Sequence, residues 1–369
     1  MRKTIKKWIK AIFRKWPKLK KPVTKLYRLT REDNSSNSGK SNKAMQGTDS
    51  PSNLHAKEAL QEKVQDDIYS GKAAYTGYGM DYISSLFFPK EERAIELKKV
   101  FYRHCNYYLD LDHPKTFNQK IQWLKLNYYD PRMGRCVDKC EFKRYITEQL
   151  GEGYTVPLYG EWESENQIDF DLLPDQFVLK SNVQSDGRHI IVVKNKAELD
   201  IDRLKTVMSS WLLKRNNLCS SYCIAYRHVR PKILAEEYIN DLDNDALIDY
   251  KIMCFNGKAE LLFTVLDRDS NMSVNFYDLD WNLLPFTRKY PNSNYPVKPP
   301  KNLDKMIEIA NQLAEPFPFV RVDFYETADG SKLYVGELTF YPGGGYESFE
   351  PMEWDYKLGE MPKLPEANV

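Results

Sequence analysis

FVRVDFYETADGSKLYVGELTFYPGGG, residues 319–345, decides how the rest of the chain is read. Apolar residues alternate through 319–325 and again through 332–340, and Asp329-Gly330 lies between the two runs, the pattern of a β-hairpin. Asp323 and Glu337 each interrupt an apolar run. An unpaired carboxylate inside a buried strand is strongly destabilising, so each requires a cation, a hydrogen-bond network or water. Paired strands can aim both side chains at one point, and two carboxylates converging on a hard divalent ion are the usual means of holding Mg²⁺ against nucleotide phosphates. The competing reading leaves both carboxylates in solvent on an edge hairpin.

A chain of 369 residues can bury a sizeable core and hold two domains or subdomains plus tails, and 42% hydrophobic with 13% aromatic content is that of a globular protein. No apolar run reaches the roughly 18 residues of a membrane-crossing helix. The N-terminus lacks the uninterrupted apolar segment of a secretory signal, so the body is expected in the cytoplasm. Cys136 and Cys140, and Cys219 and Cys223, fall in expected helices without further ligands nearby, and they read as reduced structural thiols rather than a zinc site.

Charge is unevenly placed. Residues 1–31 carry 13 Lys and Arg and no acidic residue, while the whole chain holds 54 basic and 52 acidic residues, so the body beyond the tail is acidic. Ile5, Trp8, Ile9, Ile12, Phe13 and Trp16 recur at helical spacing, with Lys6, Lys7, Lys10, Arg14 and Lys15 between them and a stop near Pro17. This basic amphipathic helix suits an anionic membrane surface, which predicts peripheral attachment to the inner face of the plasma membrane. A nucleic-acid arm needs no regular apolar stripe, and no nucleic-acid partner is expected. A core helix with a cationic outer face is the remaining alternative. Residues 32–55, rich in Ser, Asn, Gly and Lys, read as a flexible linker.

Helical periodicity resumes over 56–69 and 91–107, again from Phe117 through Leu126, and once more from near Asp138 to the glycines Gly151 and Gly153. Lys139 and Lys143 on that last helix are surface charges or one of them reaches a phosphate. QFVLK (176–180) and HIIVV (189–193) read as paired strands joined by the polar loop SNVQSDGR (181–188), with Lys180 at its mouth. Such a loop can present backbone N–H groups to phosphate while the lysine supplies a point charge, although one glycine in eight residues is a weak pattern. After a helix over 200–213, PKILAEEYI (231–239) is a strand ending in Glu236 and Glu237 that can offer main-chain groups to an adenine edge. DYKIMCF (249–255) and 259–266 form a hairpin around Asn256-Gly257, with Asp249 and Lys251 on one face of its first strand.

PKTFNQKIQWLK, PDQFVLKSN, PKILAEEYI, DYKIMCFNGK, NFYDLDWN, FPFVRVDFY and GELTFYPGGG, taken in order, resemble the TupA-like ATP-grasp family associated with bacterial surface polysaccharides. The resemblance covers residues 111–364 and implies an α+β, ATP-grasp fold in which two α+β subdomains clasp Mg²⁺ and ATP. It divides the chain into 56–170, an N-terminal helical or α+β region, 171–240, the small subdomain, and 241–369, the large one. It implies that Lys139 and Lys180 face phosphate, with Ser181, Asn182 and Gly187 in the phosphate loop. Glu236 and Glu237 take the nucleotide-edge and ribose positions, with Asp249 also in the nucleotide site. Lys251 and Arg321 are the catalytic cations near the γ-phosphate and acceptor, and Asp323, Glu337 and Thr339 are the metal positions. Two positions depart from the family pattern. Val183 and Gln184 are bulkier than the usual glycine-rich loop, which restricts backbone approach to phosphate. Thr339 stands where the wider superfamily places an Asn ligand.

The activity so implied is ATP-dependent carboxylate–amine ligation through an acyl phosphate. The expected acid is a uronic acid of a surface glycan or lipid-linked glycan precursor, and the expected amine is an amino acid, amino sugar or other amine. Asp-x-Asp pairs at Asp110/Asp112, Asp241/Asp243, Asp267/Asp269 and Asp278/Asp280 support an alternative, a glycosyltransferase of the same pathways. A non-catalytic relic of the fold is a further one. If Asp323 and Glu337 serve only metal and phosphate, alanine at either position is expected to leave the melting temperature within a few degrees of the parent.

Overall fold

The computed structural model describes residues 90–183, 189–212, 223–226, 228–239, 248–267, 271–327 and 329–369. The expected membrane helix, the linker, the helix over 56–69, Gln184 and Gly187 of the loop, Cys219, Asp241, Asp243 and Asp269 lie outside the described residues.

Four helices come first: α1 (Lys90–Cys105), α2 (Phe117–Asn127), α3 (Pro131–Val137) and α4 (Lys139–Leu150). Then follow β1 (Leu158–Trp162), β2 (Phe177–Ser181), β3 (Ile190–Val193), α5 (Ile201–Trp211) and β4 (Ile233–Glu237). The remainder contains β5 (Asp249–Phe255), β6 (Lys258–Leu266), β7 (Ser273–Tyr277), β8 (Thr287–Arg288), α6 (Leu303–Ala314), β9 (Phe319–Glu326), β10 (Leu333–Thr339), β11 (Phe349–Glu350) and α7 (Glu353–Glu360).

Local chemistry explains where these elements begin and end. Thr116 caps α2 with a reciprocal box to Gln119. The Asp138 carboxylate accepts from Cys140 N at 3.0 Å to open α4, and Gly151, at φ 88°, closes it. α3 is a helix that periodicity did not predict; Asp130 caps it and Pro131 occupies its first turn. It separates Cys136 from Cys140, which therefore lie on two helices, and all five described cysteines are free. No helix among the described residues is long and apolar enough to cross a membrane.

β1, β4, β2 and β3 form a four-stranded antiparallel sheet in that order. Its first strand thus comes from before residue 171. One face carries Phe177, Leu179, Ile233 and Ala235, which bury against Leu204, Met208 and Trp211 of α5. β10, β9, β5, β6 and β7 form a second antiparallel sheet of five strands, and β8 pairs with β11. Met306, Ile309, Ala310 and Leu313 of α6 recur at helical spacing and are 0–1% exposed. They pack in one cluster with Ile252, Val320, Val322 and Phe324 from one face of the large sheet. The opposite face is left for chemistry.

One irregularity sets that face. Val335 lies opposite Phe324, but Glu337, not Gly336, lies opposite Asp323, so the register shifts at Gly336. This β-bulge re-phases the alternation. Without it Glu337 would stand opposite Val322 and point into the core; with it, Glu337 and Asp323 share a face. Glycine suits the bulge, because a Cβ at position 336 would lie 2.3 Å from the Tyr325 ring and force it to move.

Candidate functional site

The charged face of the large sheet is built across three neighbouring strands. Lys251 on β5 lies opposite Asp323 on β9, which lies opposite Glu337 on β10. Two residues along, Arg321 lies opposite Thr339. Asp323, 1% exposed, accepts from Arg321 Nε and Nη2 at 2.6 Å each and from the Lys251 ammonium. Arg321 Nη2 also donates to Thr339 Oγ1 at 3.0 Å, and its guanidinium lies 5.8 Å from the centroid of the Phe263 ring. Asp249 places Oδ2 3.6 Å from Lys251 Nζ. Burial pushes the Asp323 carboxyl up, but Arg321 and Lys251 outweigh it and hold the carboxyl below its ordinary range. Burial pulls the Lys251 ammonium down, with Asp323 opposing. Glu337 is half-buried beside them.

A second charged row lies on the small sheet. Val178 pairs with Val192 and with Glu236, and Lys180 pairs with Ile190, so these side chains share the face turned away from α5. Glu236 takes the Lys180 ammonium and, at 3.0 Å, Lys143 Nζ from α4. Burial raises the Glu236 carboxyl, yet the two lysines hold it below the usual range. Ile190 and Val192 remain 41% and 49% exposed on the same row, an apolar shelf beside a charged pair. An aromatic base can lie on such a shelf with its phosphates toward the lysines.

Lys139, first residue of α4, joins the two rows. Burial lowers its ammonium; Glu337 of the large sheet, Glu236 of the small one and neighbouring Asp138 oppose the shift, and Lys180 adds to it. Its backbone N–H donates to Asn182 O at 3.0 Å. Asn182, fully buried, also gives its N–H to Lys232 O at 3.1 Å and its Nδ2 to Arg230 O at 2.9 Å, and it accepts Lys232 N at 2.7 Å. Its amide therefore fixes the strand end rather than facing a ligand. Ser181 points to the core face, 1% exposed, its hydroxyl without a hydrogen-bond partner among the described residues. Val183 is 5% exposed and packs into the large-sheet cluster, so its bulk lies in the core, contrary to the expectation that it would crowd a phosphate. Glu237 lies opposite Phe177, on the other face from Glu236, and gives its N–H to Pro157 O at 2.9 Å.

The structure thus gathers Lys251, Arg321, Asp323, Glu337, Thr339 and Asp249 on one face, with Lys139, Lys180 and Glu236 in electrostatic continuity. Two of the Asp-x-Asp pairs serve turns. Asp110 accepts from Asp112 N and His113 N, and Asp278 accepts from Asp280 N and Asn282 N. Sequence reasoning missed Arg288, Lys289 and Glu347. Arg288 and Lys289 lie 3.4 and 3.2 Å from the Glu347 carboxylate, a meeting set by long-range strand pairing that no local pattern announces.

A search of curated proteins found no match. Among solved structures, the chain is similar to a D-alanine–D-alanine ligase from Bacillus anthracis at 18% identity, TM-score 0.37, over 62% of this chain and 65% of that one. It is similar to D-alanyl-alanine synthetase A from Vibrio cholerae at 12% identity, TM-score 0.37, over 62% and 64%. It is similar to a D-alanine–D-alanine ligase from Coxiella burnetii at 12% identity, TM-score 0.37, over 66% and 64%. The chain thus spans less than two thirds of the length of each of these structures. The family model described as TupA-like ATPgrasp matches residues 119–363, an interval that holds both sheets and every charged residue of the two rows. The chain belongs to the TupA-like ATP-grasp family and has the ATP-grasp fold.

Proposed function

We propose that the protein is an ATP-dependent carboxylate–amine ligase that works through an acyl phosphate. The observation that carries this reading is the Lys251–Asp323–Glu337 row, three chemically matched residues in register on adjacent strands, with Arg321 beside them. Among the described residues no group of three or more His, Cys, Asp and Glu suits a metal. Mg²⁺ in nucleotide sites needs only one or two carboxylates, the rest of its shell being phosphate and water. Glu337, half-buried and without a side-chain hydrogen bond among the described residues, is the open donor, and Asp323, whose oxygens are held by Arg321 and Lys251, would exchange one of those bonds to join it. Bound there, Mg²⁺ would neutralise phosphate charge. Thr339, whose hydroxyl is engaged by Arg321, would orient that arginine.

The chain's own residues then have distinct tasks. Lys139 and Lys180 neutralise phosphate oxygens, with Glu236 holding Lys180 in place until nucleotide competes for it. Ile190 and Val192 receive the base. Lys251 and Arg321 stabilise charge on the transferred phosphoryl group and on the attacking carboxylate. No enzyme nucleophile is required, because positioning two substrates is itself worth much of the barrier. We further propose that the acid is a uronic acid carboxylate of a bacterial surface polysaccharide or its lipid-linked precursor, and the amine an amino acid or other amine. Residues 1–31 would hold the enzyme on the anionic inner face of the plasma membrane. The family and the charge pattern of the tail support these assignments.

The test is thermal denaturation of the full chain with Mg-ATP and with UDP-sugars. A ligand present at about 100 times its Kd stabilises by about 2.7 kcal/mol. A rise in Tm with millimolar Mg-ATP is expected; no rise would refute the ligase reading, and a rise with a UDP-sugar alone would replace it with the glycosyltransferase.

A further inference from the structure

The charged face does not end at Arg321. Pairing of Phe349 with Arg288 brings Lys289 to Glu347, 58 residues further along the chain. Arg288 is 4% exposed. Its Nη2 donates to Pro342 O at 3.0 Å, and its guanidinium lies 5.1 Å from the Phe349 ring and 5.7 Å from that of Phe117. Its Nε lies 3.4 Å from Glu347 Oε2. Lys289 Nζ donates to Glu347 Oε1 at 3.2 Å. The Glu347 carboxylate fills the space that a side chain at position 343 would take, since a Cβ on Gly343 would lie 2.2 Å from Glu347 Cδ. Of the three side chains, Arg288 is 3% exposed, Glu347 24% and Lys289 51%, so Lys289 is the end a ligand can reach.

The backbone beneath Lys289 is unusual. Lys289 has φ 64°, and Tyr290 N donates to Arg288 O at 2.7 Å, closing a three-residue turn around it. A γ-turn with positive φ is rare and strained for any residue bearing a Cβ, and glycine would adopt it freely. Strain of this kind, held by surrounding structure, marks functional positions. Ring packing orders the face. Phe319, Arg321 and Asp323 alternate along one face of β9, and the Phe117 ring lies 5.0 Å from that of Phe319 and 5.7 Å from the Arg288 guanidinium. The cluster of Arg288, Lys289 and Glu347 therefore lies toward the Phe319 end of this row, past Arg321 from Asp323. Two cations against one carboxylate leave it net positive.

We propose that Lys289, held by Glu347 and through it by Arg288, recognises the carboxylate of the second substrate beside Arg321. This rests on the ligase reading of the same site. Lys289 takes one carboxylate oxygen while the other donates its electron pair to the γ-phosphorus; that O–P bond forms, the bond to the bridging oxygen breaks, and its electron pair leaves with ADP. Glu347 and Arg288 are positioning residues that do not touch substrate.

The experiment uses the full chain with saturating Mg-ADP and ligand-observed NMR titration of D-glucuronate, with D-glucose as the uncharged counterpart. The parent is expected to bind glucuronate more tightly by about ten-fold or more, the effect of one charge-assisted hydrogen bond. Lys289→Gly suits the backbone better than lysine, so it folds; it is expected to lose that preference while its Mg-ADP affinity stays within about two-fold of the parent. Lys289→Arg should keep the preference, and Glu347→Gln should weaken it without changing Mg-ADP binding. Retention of the full preference by Lys289→Gly, or a parent that binds Mg-ADP but does not distinguish the two sugars, overturns the proposal. A parent that fails to bind Mg-ADP overturns the ligase reading and this proposal with it.

Discussion

Replacing Asp323 with alanine separates what this carboxylate does for the fold from what it does for a ligand. Asp323 is 1% exposed and accepts two hydrogen bonds of 2.6 Å from Arg321 and another from Lys251. Alanine would take from Arg321 and Lys251 the carboxylate that both bind directly, leaving Lys251 only the longer 3.6 Å contact with Asp249. Removing one partner of a buried ion pair costs about 3–5 kcal/mol. At about 2–3 °C per kcal/mol for a chain of this size, Asp323→Ala should melt roughly 6–15 °C below the parent. That corrects the expectation from sequence that both carboxylate variants would melt near the parent. Glu337 is half-buried and has no side-chain hydrogen bond among the described residues, so Glu337→Ala should stay within about 1 kcal/mol of the parent. Calorimetry with and without millimolar Mg-ATP reads both properties. The parent should gain stability with nucleotide and neither variant should. The reasoning fails if Asp323→Ala melts with the parent, if Glu337→Ala falls as far as Asp323→Ala, or if Mg-ATP shifts all three proteins equally.

Further outcomes follow from other sites. Gly336→Ala places a methyl group against the Tyr325 ring; a loss of about 1–3 kcal/mol is expected by chemical denaturation, with loss of Mg-ATP-dependent phosphate release as Glu337 is displaced. Lys289→Gly relieves a left-handed backbone and should leave the protein as stable or up to about 1 kcal/mol more so, measured by urea midpoint; a clear loss would refute the strain. The folded pKa of Glu236 lies below its ordinary value of 4.5, so its stabilisation is complete above about pH 4.5 and fades as pH falls through the lower folded value. Glu236→Gln should therefore flatten the acid limb of stability against pH. The full chain should bind vesicles of anionic lipid and release in high salt, each basic residue of the tail contributing about 1 kcal/mol, and Trp8→Ser with Phe13→Ser should weaken binding. Equal binding to neutral vesicles would refute the electrostatic part.

The legible parts of this protein were those specified within a few residues. Asn256 and Gly257, at φ 52° and 82°, form the hairpin turn that their identities announce. Asp138 and Gly151 bound α4 as cap chemistry requires. The carboxylates of the hairpin stood out because an acid inside an apolar strand must meet a cation, a hydrogen-bond donor or water. Their shared face is not announced by the alternation, since it depends on the bulge; its one local sign is Gly336, a lone glycine inside a strand. α6 was legible in principle from the spacing of Met306, Ile309, Ala310 and Leu313, but α3 hid behind the Asp130-Pro131 pair. Lys251 reaches Asp323 across 72 residues of chain, and no local rule sets that register. Asn182 and Ser181 sit beside a lysine in a loop that looks built for phosphate; only the register shows that one is bound to neighbouring backbone and the other turned inward.

The hydrogen bonds around Asn182 also have a mechanical meaning. Phe142, Tyr145 and Ile146 of α4 belong to the large-sheet cluster, while the first N–H of the same helix is fastened to Asn182 at the end of β2. Side chains of the same helix continue the connection: Lys143 meets Glu236 of β4 at 3.0 Å, and Arg144 meets Glu161 of β1 at 2.8 Å. α4 is thus a splice between the two sheets, apolar toward one and polar toward the other. A ligand that competes for Glu236 or Lys180 on the small sheet would load this splice, and the load would arrive at Lys139, its first residue.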